Sequence, residues 1–261
     1  NPFDGIRSRD MHIDTEDQLL MQLERARILN YDLIKTYVRL PNLLQKKVVN
    51  IAHQYGIAVS SHELYPAVSY GIDNVAHLGA TSRRGYSPKI SALNHSYQDV
   101  TDLITQSDVT LTSTLAVDGF PAMVAHDPNA LDDPRFVQLN PIWKVVETRS
   151  RVTQAGSMNF RKELLKTAGQ TIVEIVNAGG RVIAGTDAPI VPYGLSLHTE
   201  LDSYVRYGLS PFQALQAATW IPAQALGIDQ DLGTLETGKL ADMIIVEGNP
   251  LKNIQDARKV R

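Results

Sequence analysis

Ile57-Ala58-Val59-Ser60-Ser61-His62-Glu63 is a short apolar run closed by a polar side chain, and this plan recurs along the chain. YDLIKTYV (31–38) carries Lys35 near its end, and NVAHL (74–78) carries His77. VTLTST (109–114) alternates and is rich in β-branched residues, and RVIAGTD (181–187) ends on Asp187. Between these runs the periodicity changes to that of helices. Residues 15–29 place Leu19, Leu23 and Ala26 on one face, with Asp14 or Thr15 as the cap. Residues 42–55 do the same with Leu44, Val48, Ile51 and Tyr55, and Gly56 stops them. A short helix is expected after Pro66, with further helices over 97–106, about 160–178, 211–218 and about 221–226. Ser210 and Gln213 form a capping pair for the 211–218 helix. Strand and helix alternate at least five times, the signature of a parallel α/β protein whose strands are short, apolar and buried.

Composition agrees with a packed domain. Of the 261 residues, 43% are hydrophobic and 20% charged, which excludes a disordered or collagen-like chain. The net charge of −3 argues against a non-specific nucleic-acid binder. No run of about 18 apolar residues is present, so neither a membrane span nor a membrane partner is expected. The chain has no cysteine, which removes disulfides, thiolate metal sites and cysteine nucleophiles. That absence suits cytoplasm and periplasm equally and leaves localisation open. Residues 115–158 break the rhythm: Pro121, Pro128, Pro134 and Pro141 fall there without strong periodicity, so a long functional connection or lid is expected.

In a parallel barrel, chemistry sits at the carboxyl ends of the strands. Lys35, His62, His77 and Asp187 occupy four such ends. Two imidazoles, a carboxylate and an amine on one rim are a metal-site composition, because neutral imidazole and carboxylate suit zinc-like ions. Each has an ordinary alternative. A lone His after a strand is more often a hydrogen-bonded structural residue, Lys35 alone would be a solvated amine, and an Asp after Gly-Thr is often a helix cap. Four such coincidences at strand ends are much rarer than one. His53 lies near the solvated end of a helix, and His12, His95 and His126 sit in polar stretches. His198, eleven residues after Asp187, could line the pocket.

These residues resemble the metal-dependent amidohydrolase superfamily, a (β/α)8 barrel. Lys35 in LIKTY matches the strand-4 lysine, which many members carboxylate to bridge two metals. His62 in VSSHE and His77 in NVAHL match the strand-5 and strand-6 histidines, and Asp187 in AGTDAP matches the strand-8 aspartate. HTELDSYVRYGLSPFQALQAATWIPAQALGI is similar to the helices after strand 8 in imidazolonepropionase-like and prolidase-like members. LGTLETGKLADMIIVEGNPL looks like their return to a small β-sandwich, with a strand at 241–246. LIKTYVRLP, SSHELYP and TSRRGYSPK look closest to amidohydrolase modules fused behind TolB-like propellers. The resemblance implies a divalent metal, zinc first, and hydrolysis of an amide bond in a dipeptide or N-acyl amino acid. His62 and His77 would hold the more exposed metal, and Asp187 would move the proton.

One departure matters. The family carries an H-x-H pair on strand 1, and this sequence has none; His12-Ile13-Asp14 is the nearest approach. The 34 residues ahead of Lys35 are too few for three βα units of about 30 residues each. The expectation is therefore strands 4–8 of the barrel over 1–228, followed by part of a β-sandwich over 229–261. The remaining strands would come from a longer chain or a partner chain. Tyr37 and Arg39 are candidate substrate contacts, with Arg39 placed either to fork a substrate carboxylate or to pair with a neighbouring loop. Arg83 and Arg84 have the same two readings, and Phe120 and Trp143 either cover the pocket or pack the long segment down. Two other functions stay open: a non-catalytic half-barrel that binds a partner, and a metal-free enzyme using Lys35 as a Schiff-base amine.

Overall fold

The computed structural model describes residues 13–37, 40–78, 97–126, 131–153 and 158–261. Helix α1 (Glu16–Ile28) opens with a reciprocal cap: Thr15 Oγ1 accepts from the Gln18 amide, and the Gln18 side chain accepts from Thr15 N–H. Strand β1 (Leu33–Thr36), helix α2 (Asn42–Gln54) and strand β2 (Ala58–Ser61) follow. A 3-10 turn (Ala67–Tyr70) leads to β3 (Asn74–Ala76), then α3 (Gln98–Gln106) and β4 (Thr110–Thr112). Helices α4 (Ala116–His126), α5 (Pro134–Leu139), α6 (Ile142–Thr153) and α7 (Met158–Asn177) come next. Strand β5 (Arg181–Ile183) precedes α8 (Leu195–Tyr207), α9 (Pro211–Ala218) and α10 (Trp220–Ala225). The Ser210–Gln213 capping pair forms at α9 as its spacing predicts. No described helix is long and apolar enough to cross a membrane.

The five strands pair in parallel, each with the next in chain order. Consecutive parallel order with helical returns is an arc of a (β/α)8 barrel. Strand alternation gives the arc two faces. Val59, Val75, Leu111 and Val182 point to the helices and are fully buried in the main core. Lys35, Ser60, Asn74 and Thr112 line the opposite, inner face. There Ser60 Oγ donates to Asn74 Oδ1 at 2.8 Å, and Asn74 Nδ2 donates to the Thr112 hydroxyl at 3.0 Å. Gly185 is required just past β5, because a Cβ there would lie 2.3 Å from the Thr112 methyl.

Two expectations are corrected. Residues 115–158 are not one long connection: α4, α5 and α6 occupy most of the stretch. Their prolines start helices as well as break them. Pro134 is the first residue of α5 behind the Asp133 cap, and Pro141 immediately precedes α6. Among the described prolines of this stretch, Pro121 alone lies in a helix interior, and Pro128 lies outside the described residues. These helices gather a second core of Phe120, Val124, Phe136 and Val145 against Val191 and Leu195. Phe120 is therefore a packing residue, while Trp143 stays half exposed. The strand expected at 241–246 is also absent. Pairing there is limited to an isolated antiparallel bridge, Val246–Val260, and Ile244 and Ile245 remain exposed. The expected β-sandwich segment is thus not a sheet among the described residues, and Ile254 of this tail packs into the main core.

Candidate metal centre

The inner face of the arc encloses a cavity of about 320 Å³, with Lys35, His77, Thr114 and Asp187 among its lining residues. Lys35 reaches it by strand alternation, pairing in register with Ser60. His77 reaches it differently. Ala76 and His77 are consecutive yet both line the cavity, which a regular strand forbids. The break is backbone: His77 adopts φ +61. Thr114 at φ +56 and Asp187 at φ +57 do the same at the ends of β4 and β5. Left-handed conformations at non-glycine residues cost on the order of 1–3 kcal/mol each and cluster at functional sites. Of the described residues, only Asn30, just past the end of α1, joins these three.

The side chains form a chain of contacts. Tyr37 packs edge-on against His62, with ring centres 4.6 Å apart, and His62 packs edge-on against His77 at 4.7 Å. His77 is almost fully buried; its amide donates to Thr112 O at 2.7 Å, and its Nδ1 lies 2.8 Å from the Thr114 hydroxyl. With Nδ1–H donating to that hydroxyl, Nε2 keeps its lone pair and faces Asp187 Oδ2 at 3.8 Å. Two lone-pair atoms at that separation make no hydrogen bond. One ion at ordinary zinc distances of about 2.0–2.2 Å could reach both, so the donor types fit a divalent metal. Among the described residues, however, no three His, Asp or Glu side chains gather into a closed metal cluster as they stand.

The loop after Asp187 is clamped from the second core. The buried Lys144 ammonium donates to Ile190 O at 2.7 Å and to Glu147 at 2.9 Å. Asn140 Oδ1 accepts the Tyr193 amide at 2.8 Å. Asn140 and Lys144 thus hold the loop after β5 in place.

His198 is not brought to the cavity. It sits two residues before Glu200 on α8, about 200° around the helix, and Glu200 is the one that faces the strand ends. His198 lies instead in the field of Arg258 and Arg135. Burial and those two cations push its pKa down to about 4. Arg39, Arg83, Arg84, His12 and His95 lie outside the described residues.

Sequence reasoning missed the polar groups beneath the rim. Glu200, fully buried, accepts hydrogen bonds from the Ser113 hydroxyl and, at 2.6 Å, from the Ala116 amide. Burial raises its pKa to about 7, with the Ser113, Ala116, Leu115 and Tyr204 hydrogen bonds opposing that rise. The readable signal was an acidic residue on the stripe of α8 that also carries Ser196, Ser203 and Tyr204.

Known proteins share this architecture. A Xaa-Pro dipeptidase solved with methionine in its active site superposes with a TM-score of 0.65 at 21% identity, covering 95% of this chain and 56% of that one. A prolidase complexed with N-methylphosphonate-L-proline gives 0.63 at 16% identity, covering 95% and 57%. A 39-residue stretch is 51% identical to imidazolonepropionase of Symbiobacterium thermophilum, covering 15% of this chain and 9% of that protein. The chain thus spans little more than half the length of the solved structures it matches. The sequence profile of the amidohydrolase family matches residues 41–260, from the start of α2 to the bridge at Val260. That match includes His62, His77 and Asp187 with the strands that present them, and by it the chain belongs to the amidohydrolase family.

Proposed function

We propose that this chain carries part of the site of a metal-dependent hydrolase that cleaves an amide C–N bond, with dipeptides or N-acyl amino acids as the substrate class. One observation carries the reading: Lys35, His77 and Asp187, from three separate strand ends, line one cavity, with the His62 ring packed on His77. The likeness to a Xaa-Pro dipeptidase and a prolidase supports small peptides as substrates. His62, His77 and Asp187 would hold the divalent ion, zinc first. Lys35 would join them as its carbamate, because carbamylation converts a cation into an anionic ligand. A bound ion supplies an acidified water and a Lewis acid for the scissile carbonyl. Asp187 would accept a proton from the attacking water on its carboxylate and pass it to the leaving amine nitrogen. Tyr37, half exposed against His62, offers an aromatic wall to the substrate. Arg39, which lies outside the described residues, would fork the substrate carboxylate unless it pairs with a neighbouring loop.

Asp187→Asn keeps the size of the side chain and removes the proton acceptor. Turnover of Xaa-Pro dipeptides or N-acyl amino acids is expected to fall about a thousand-fold. An unchanged kcat removes Asp187 from this role. A second reading, a non-catalytic half-barrel that binds a partner, is favoured by one observation: among the described residues no three His, Asp or Glu side chains gather into a closed metal cluster. Zinc-free protein that turns over none of these substrates would point to it.

A further inference from the structure

We propose that Glu200 is a positioning residue for this site: its carboxyl fixes the Ser113–Ala116 turn so that Thr114 meets Nδ1 of His77 and leaves Nε2 facing Asp187. The inference rests on His77 being a ligand in the proposed function, and it concerns a residue that touches neither substrate nor metal.

The geometry is a relay of three contacts. Glu200 rises from the middle of α8 and is inaccessible to solvent. One carboxyl oxygen accepts the Ser113 hydroxyl and the other the Ala116 amide, so both flanks of Thr114 are held by one group. Tyr204, one helical turn on, stands 2.5 Å from the same Ser113 hydroxyl and reaches Ile183 O at the end of β5. Thr114 itself sits at φ +56, a conformation a β-branched residue avoids unless its neighbours impose it. Its hydroxyl meets His77 Nδ1 at 2.8 Å. Where the Thr114 hydroxyl accepts from Nδ1–H, Nε2 holds the lone pair that can ligate.

An ionised carboxyl accepts from the Ser113 hydroxyl and the Ala116 amide at once, whereas an amide in its place has one oxygen for the Ala116 N–H and turns the Ser113 hydroxyl round to accept from its NH2. Burying a carboxyl is costly, and raising its pKa to about 7 is the sign of that cost. A merely space-filling position on α8 would be served by leucine or glutamine.

The test compares Glu200→Gln and Thr114→Val with the wild-type full chain. Long-range 1H–15N correlations of the metal-free protein, at a pH where imidazole is neutral, report the His77 tautomer; His77→Gln identifies its signals. The wild type is expected to show the Nδ1–H form. Both variants are expected to mix in the other tautomer and to bind zinc about ten-fold more weakly. A folded Glu200→Gln protein with the wild-type ring signature and zinc Kd overturns the proposal, and so does a change confined to Thr114→Val. Should Glu200→Gln fail to fold, Ser113→Ala severs one flank of the same turn. Wild-type ring signals and zinc affinity in that variant overturn the proposal equally. If the wild-type chain takes up no zinc, the metal reading fails, while the ring comparison still decides the role of Glu200.

Discussion

RVIAGTD at 181–187 and ADMIIVEGN at 241–249 look alike as sequences: a few apolar residues, then a polar close. Their fates differ. Val182 is fully buried in β5, hydrogen-bonded along β4 and covered by helices. Ile244 and Ile245 are about 70% exposed, and pairing in their segment is one bridge from Val246 to Val260. The comparison teaches that a strand is made by its neighbour. The apolar run is a necessary local signal, but hydrogen-bonded backbone on at least one side converts it into sheet. β5 has that neighbour and also carries Asp187 just beyond its end.

This contrast can be broken experimentally. Leu111 sits on β4 directly beside Val182 and is fully buried. Leu111→Ala should cost about 4 kcal/mol, read as a lower denaturation midpoint at unchanged m-value. A loss under about 1 kcal/mol would mean that the arc is not packed as described.

The next effect separates the strand ends from the rest by pH. Glu200 has a folded pKa of about 7 against an ordinary 4.5. Below 4.5 both states hold the proton. As pH rises toward 7, the unfolded chain releases it first, so stability is lost through that window. Relative to Glu200→Gln, which lacks this proton, the wild type should lose about 3 kcal/mol between pH 4.5 and 7. Parallel stability curves for the two proteins would contradict the buried carboxyl. The smallest effect belongs to the tail. Ile245→Ala should change stability by less than about 0.5 kcal/mol. A loss comparable to that of Leu111→Ala would show that the tail packs as tightly as β5.

Much of the fold was legible in the sequence because parallel strands and amphipathic helices are local patterns. Lys35, His77 and Asp187 could be found because each follows a short apolar run. Three things were not legible. The left-handed backbone at His77, Thr114 and Asp187 depends on tertiary contacts, since none is glycine. Glu200 serves β4 from a helix 84 residues from Ala116, a pairing no local period reveals. The helices over 116–153 were hidden because prolines read as breaks, whereas Pro134 sits where a helix welcomes one.

The central claim is that these strand ends form a metal site. The most direct measurement is zinc per chain by elemental analysis after exposure to zinc and bicarbonate, for the wild type, His62→Ala and His77→Ala. The account predicts about one zinc or more per wild-type chain and a clear loss in both variants. Zinc-free wild-type protein, or equal zinc in all three, would contradict it.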